Sequence, residues 1–201
     1  MTASLPFFVA IGASGGEGLH DIQDLLAALP LSLDAIVMVV LHRPSDRASN
    51  LHSVLARRSN MPVVIASETE RMKPGVCYIG EPDRHLTLVD TYLAHLVPGT
   101  ANRFRNQTID VLFESLARHA GPRTIGIVLS GALSDGSRGL AAIHAAGGVT
   151  FVLDPGHKPR GMQQNAINYD GPISCIGTSA QLARMVKQVI ADSTLVPNSA
   201  T

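Results

Sequence analysis

At 201 residues, 45% of them apolar, the chain can bury one substantial core, and one domain is the expected organisation. Lys plus Arg and Asp plus Glu both number 16, so no net field draws the protein to nucleic acid or to an anionic membrane surface. Cys77 and Cys175 fit no C-x-x-C or zinc-ligand spacing, no basic segment precedes the short apolar run at the N-terminus, and no stretch nears the roughly 18 apolar residues of a membrane span; the expectation is a soluble, cytoplasmic protein without a disulfide framework or membrane insertion.

The first predicted element is a strand over 7–11, followed at once by Gly12-Ala13-Ser14-Gly15-Gly16. Leu19, Ile22, Leu25, Leu26 and Leu29 then recur at helical spacing, so Ser14 falls on a sharp strand-to-helix turn. A strand over 35–41 runs into His42-Arg43-Pro44, Leu51, Val54 and Leu55 mark a short helix, and another strand covers 63–66. Strand-like pieces at 76–79, 85–89 and 92–97 have connections too short for helices; they predict an antiparallel hairpin insert around residues 76–97. A polar loop with Arg103 and Arg105 precedes the helix of Ile109, Leu112, Phe113 and Leu116, for which Thr108 is the expected N-cap. Strands follow at 124–129, 149–153 and 173–176, with Asp135 in a small-residue turn after the first and before a new helix; Leu182, Met185, Val186 and Val189 mark the last helix.

The strands lack period-two alternation, as strands covered on both faces do, and helices alternate with them. The predicted fold is α/β: a doubly wound, mostly parallel sheet sandwiched between helices, with one domain over residues 1–191 and a flexible tail at 192–201.

Three side chains with chemical potential stand immediately past predicted strands. Ser14 reads either as a helix N-cap or as a nucleophile whose oxyanion would meet backbone N–H groups at the start of a helix. For an isolated His42 a backbone hydrogen bond is the ordinary role, yet a parallel sheet brings strand ends to one edge, where its imidazole can act as general base for Ser14. Asp135 reads as the N-cap of the helix after it or as the carboxylate that orients His42. The chain order Ser, His, Asp and the absence of G-x-S-x-G give no ground for assuming the α/β-hydrolase topology. Arg103 and Arg105 flank Phe104 in a loop that is solvated or, if it overhangs the sheet edge, contacts an acidic protein substrate. The remaining histidines show no metal-binding spacing, and neither metal nor cofactor is expected.

Beyond these side chains, the sequence resembles the catalytic domain of the CheB-type chemotaxis protein-glutamate methylesterases. The resemblance is carried by Val9-Ala10-Ile11-Gly12-Ala13-Ser14-Gly15-Gly16, Leu41-His42-Arg43-Pro44, Pro74-Gly75-Val76-Cys77-Tyr78-Ile79, Asp83-Arg84-His85-Leu86 and Asn102-Arg103-Phe104-Arg105. It continues through Gly126-Ile127-Val128-Leu129-Ser130-Gly131, Ser134-Asp135-Gly136 and Gly161-Met162, and spans roughly residues 7–190 in order. It implies a serine carboxyl-ester hydrolase that demethylates glutamate γ-methyl esters on the cytoplasmic segment of a methyl-accepting chemoreceptor in chemotaxis signal adaptation, sometimes with deamidation of receptor glutamine. The family's catalytic residues fall on Ser14, His42 and Asp135, its oxyanion donors near Gly15 and Ala132, and its substrate contacts on Arg103, Arg105 and Met162. A receiver-type or kinase regulator is the further partner implied.

This sequence departs from the family pattern in three respects, one being Ala132 where many members carry Met, followed by Leu133-Ser134 where Gly-Asn is familiar. The usual Gly-Ala-Ser-x-Gly-Gly has lost its spacer, which predicts a re-registered helix start with Glu17 close to Ser14. Members commonly carry an N-terminal receiver domain, whereas the expectation here is a stand-alone catalytic domain. The alternative is a catalytically degenerate or phosphate-binding regulatory module of the same fold, although the chain lacks both the P-loop Lys and G-x-G-x-x-G.

Overall fold

The computed structural model of the protein describes residues 6–42, 49–82, 84–90, 92–98, 107–156, 161–169 and 171–194. The chain runs β1 (Phe7–Ser14), α1 (Gly15–Ala28), β2 (Ala35–His42), α2 (Leu51–Ala56), β3 (Val63–Ile65), β4 (Cys77–Ile79), β5 (Arg84–Asp90), β6 (Leu93–Pro98) and α3 (Thr108–His119). It continues with β7 (Thr124–Val128), α4 (Ser137–Ala145), β8 (Val149–Leu153), α5 (Met162–Asn168), β9 (Cys175–Gly177) and α6 (Ser179–Thr194). The main sheet has seven parallel strands in the order β3-β4-β2-β1-β7-β8-β9, and β5 and β6 form a separate antiparallel pair.

Side-chain alternation along β1 divides the core in two. Phe7, Val9, Ile11 and Ala13 pack with Ile22, Leu25 and Leu26 of α1, Leu51 and Leu55 of α2, and Leu182 and Val186 of α6. Phe8 and Ala10 face the other way, against Ile109, Leu112, Phe113 and Leu116 of α3, Leu140 and Ile143 of α4, and Leu86, Leu88 and Leu96 of the β5–β6 pair. The four α3 side chains are wholly buried, each contributing roughly 1.5–3 kcal/mol, which binds this helix firmly to the sheet. Gly12 permits the close approach, since a Cβ there would collide with Ile109 Cγ2. Strand order reverses between β1, which is followed by β2 on one side, and β7 on the other; carboxyl strand ends at such a point form a crevice.

The hairpin is narrower than the sequence suggests. Residues 77–79 join the main sheet as β4, parallel to both β2 and β3, and only β5 and β6 are antiparallel. In so short an apolar run nothing local distinguishes the two pairings; the neighbouring strands decide. Cys77, buried in β4, has its thiol pushed up to about 12 by desolvation and is a core side chain, while Cys175 is half-buried in β9; neither forms a disulfide. The tail expected at 192–201 lies mostly outside the described residues: α6 extends to Thr194, and 195–201 are not described. Among the described residues no helix is long and apolar enough to cross a membrane.

Glu68 ties the segment before β4 to β6. Its carboxylate accepts hydrogen bonds from His95 Nδ1 at 2.6 Å and from the Leu96 backbone N–H at 2.9 Å. The imidazole contact first, and the backbone N–H second, hold the Glu68 carboxyl below its ordinary value of 4.5. A depressed folded pKa means that this contact's stabilisation is present above the unfolded value and is lost as pH falls through the folded one. The Leu96 amide should therefore lose hydrogen-exchange protection below pH 4.5 in the wild type, whereas Glu68→Gln should show lower protection already at neutral pH and no acid step; equal profiles would contradict this.

Candidate active site

The ladder between β1 and β2 sets Ser14 opposite His42 at their carboxyl ends. Residues matched in this way on parallel strands are about 4.8 Å apart and project to the same side. That side carries α3, because Ser14 follows Phe8 and Ala10 in parity and His42 follows Ile36 and Met38, all packed in the same half of the core. Ser14 is extended (φ −142°, ψ 141°) at the N-cap position of α1, but its hydroxyl makes no capping bond. Gly15 follows with φ +72°, a conformation that suits glycine, and so α1 begins directly after the serine without a spacer. Glu17 lies exposed in the first turn of that helix.

His42 reaches Asp135. Its Nε2 lies 2.6 Å from Asp135 Oδ2, with the His42 side chain 13% exposed and the Asp135 side chain fully buried. Asp135 also accepts the backbone N–H groups of Ile109 at Oδ2 and Asp110 at Oδ1, each at 2.8 Å. Since all three contacts ask the carboxylate to accept, the ring proton belongs on Nε2, and Nδ1 of the neutral imidazole carries the free lone pair.

Asp135 thus does cap a helix, but not the one that follows it in sequence. Gly136 (φ +97°) is the N-cap of α4, whereas Asp135 satisfies the first N–H groups of α3, where Gln107 rather than Thr108 occupies the N-cap position. Asp110 returns the arrangement, its Oδ1 accepting the N–H groups of Gly136 at 2.9 Å and Gly139 at 2.7 Å. Two helix N-termini therefore exchange carboxylates, each interacting favourably with the positive end of the other's macrodipole.

Ser130 joins Ser14 to this assembly. Its carbonyl accepts the Ser14 N–H at 2.9 Å, its own N–H donates to Asp21 Oδ2 of α1 at 3.2 Å, and its hydroxyl accepts Gln163 Nε2 of α5 at 2.9 Å. At Gly131 a Cβ would lie 2.7 Å from Ser14 Cβ and would collide with Met162 Sδ.

A family model described as CheB methylesterase matches residues 9–189. The chain belongs to the CheB methylesterase family. It is 31% identical to the protein-glutamate methylesterase/protein-glutamine glutaminase of Salmonella typhimurium and 32% identical to that of Escherichia coli K12, in each case over 91% of this chain and 53% of the relative. The chain thus spans about half the length of these curated relatives. Its fold matches the CheB methylesterase catalytic domain of Thermotoga maritima with a TM-score of 0.80 at 23% identity, covering 92% of this chain and 98% of that one.

Within this family fold the remaining expected site residues are distributed unevenly. Gly15 and Ala132 are exposed on either side of the Ser14 turn, whereas Met162 has no exposed surface and packs beneath Gly131 rather than facing solvent. Arg103 and Arg105 lie outside the described residues. The structure adds His85 of β5: burial pushes its pKa down, His42 pushes in the same direction and Asp135 opposes, which places it within electrostatic reach of both. Its position within the Asp83-Arg84-His85-Leu86 resemblance was the available signal, but only the hairpin's docking brings it here. Leu133, between Ala132 and Asp135, has φ +72° and is 59% exposed; for a non-glycine residue that conformation costs on the order of 1–3 kcal/mol.

Burial pushes the Asp110 carboxyl up, with Asp135 adding to it and the N–H groups of Gly139 and Gly136 and the Arg138 guanidinium opposing. For a raised folded pKa the linked stabilisation is complete below the unfolded value and is lost as pH rises through the folded one. Asp110→Asn keeps an acceptor for both N–H groups and removes the titration, so its stability relative to wild type should improve as pH rises above about 4. Asp110→Ala orphans both groups and should cost on the order of 1–3 kcal/mol for each. Thermal unfolding across pH checks both; a wild-type minus Asn difference independent of pH would contradict the assignment.

Proposed function

We propose that the protein is a serine esterase that hydrolyses glutamate γ-methyl esters on the cytoplasmic segment of a methyl-accepting chemoreceptor, acts in the cytoplasm in chemotaxis adaptation, and answers to a receiver-type or kinase regulator. The observation that carries this reading is the His42–Asp135 bond of 2.6 Å, formed at the end of the strand that pairs Ser14 with His42. Family membership and the names of the curated relatives support the ester as substrate.

In this mechanism the Ser14 Oγ attacks the ester carbonyl while His42 Nδ1 takes its proton. Asp135, accepting from Nε2–H, holds the tautomer and stabilises the imidazolium. The tetrahedral oxyanion is met by backbone N–H groups near Gly15 and Ala132, each worth roughly 3–4 kcal/mol in the transition state. Collapse breaks the bond to the methoxy oxygen, which leaves as methanol with the proton held on His42. Water, deprotonated by the same imidazole, then cleaves the glutamyl-serine ester and restores Ser14 and a substrate carboxylate. A γ-carboxamide would follow the same path with ammonia as leaving group. Arg103 and Arg105 would contact the acidic polypeptide around the ester through charge-assisted hydrogen bonds.

Ser14→Ala should reduce methanol release from methylated receptor by about 10³-fold or more with an unchanged unfolding transition. Full turnover in this variant would overturn the reading. Asp135→Asn should lower kcat by up to about 10⁴-fold through loss of the tautomer, and should also destabilise, because an amide nitrogen cannot accept the α3 N–H it would face. If Asp135→Asn turned over normally, the assigned role of the carboxylate would fail.

A further inference from the structure

Leu133 combines two costs with no visible return to the fold. It adopts the left-handed conformation at φ +72°, which suits glycine or asparagine, and it leaves a large apolar side chain 59% exposed, where burial contributes little. The conformation is held in place, since Asn165 Nδ2 of α5 donates to the Leu133 carbonyl. The residue sits on the outer turn of the loop whose inner positions are fixed by function: Ser130 accepts the Ser14 N–H on one side and Asp135 receives His42 on the other.

Beyond that turn the surface becomes polar. A cleft of about 620 Å³ is lined by Gln107, Ser134, Arg138, Asn165, Asn168 and Tyr169 among others. Arg138 there is engaged by Asp110 at 3.6 Å and Glu114 at 2.9 Å, so the cleft offers mainly amides and hydroxyls. Leu133 is the more exposed of the two large apolar side chains here, the other being Tyr169 at 43% within the cleft, and its chain neighbours Ala132 and Ser134 are small.

We propose that Leu133 is a specificity-determining residue that receives an apolar side chain of the substrate polypeptide next to the modified glutamate, while the neighbouring polar cleft accommodates the segment's hydrophilic side. This rests on the esterase reading above. Strain retained at an exposed position is accounted for if the side chain is buried only when substrate binds, so its contribution goes to polypeptide recognition and not to bond cleavage. A small ester that reaches Ser14 without crossing the rim gains nothing from it.

The test compares wild type, Leu133→Asn, Leu133→Gly and Leu133→Met on a methylated receptor cytoplasmic fragment and on p-nitrophenyl acetate. Asn and Gly keep the left-handed turn and remove the apolar contact, whereas Met restores apolar bulk. The expected result is a KM for the receptor fragment raised at least five-fold in the Asn and Gly variants with kcat nearly unchanged, near-recovery in the Met variant, and p-nitrophenyl acetate hydrolysis within two-fold of wild type throughout. Melting temperatures of the Asn and Gly variants should equal or exceed that of wild type, as relief of the strain requires. An unaltered KM in the Asn and Gly variants, or a parallel loss of activity on both esters, overturns the proposal alone. A wild type that hydrolyses neither ester overturns the esterase reading and this proposal with it.

Discussion

The fully buried Asp135 carboxylate is the constraint on which the rest of the site depends. A carboxylate out of water costs several kcal/mol unless its lone pairs are satisfied, and here the fold supplies the Ile109 and Asp110 N–H groups and His42 Nε2 as donors. The backbone donors belong to α3, whose apolar face anchors it on the sheet, so the carboxylate is positioned by core packing and not by its own flexible turn. Once placed, it has one direction left for the third donor, towards the end of β2. The imidazole is thereby held in one orientation and one tautomer before any substrate arrives, which is the preorganisation that proton transfer requires.

The exchange of carboxylates between α3 and α4 explains how a turn built from Gly131, Ala132, Ser134 and Gly136 can be precise. Small residues permit the path but do not specify it. The specification comes from Asp110, which fixes Gly136 and Gly139, and from Ser130, which is held by β1, α1 and α5 together. Charge is part of this balance. Burial raises the Asp110 carboxyl and the nearby Asp135 charge adds to it, while the Gly139 and Gly136 N–H groups and the Arg138 guanidinium oppose. Removing either acid therefore disturbs both helices.

Much of this geometry was legible from the sequence because it depends on period and strand ends. Continuous apolar runs identified the parallel sheet, and a parallel sheet necessarily gathers Ser14 and His42 on one edge; the ladder between β1 and β2 makes them direct partners. Less legible were contacts that link distant segments. The sequence offers two roles for Asp135, carboxylate partner of His42 and cap of the helix beside it; N-cap preference is a local rule, and the first N–H groups Asp135 meets belong to a helix that precedes it in the chain. The run at 77–79 carries no local mark of its pairing and became β4. Nothing local sets His85 apart from the other scattered imidazoles; packing of the β5–β6 pair with α3 brings it within electrostatic reach of His42 and Asp135. The left-handed turn at Leu133 is signalled only by the resemblance, in which Gly is familiar at that position, because leucine itself does not favour it.

The direct turn from Ser14 into α1 follows from the same geometry. A helix that begins directly after a strand would draw the serine into the helix unless the chain turned sharply; Gly15 takes φ +72° and turns it within one residue, leaving Ser14 extended and in register with His42. The Ser14 N–H is already occupied by Ser130, so the strand's last hydrogen bond and the loop that carries Asp135 are one contact. The hydroxyl, free of any capping bond, projects to the α3 side of the sheet, the side to which His42 also projects from the paired strand. A glycine immediately after Ser14 is therefore what lets the helix start at once while Ser14 keeps its strand register with His42.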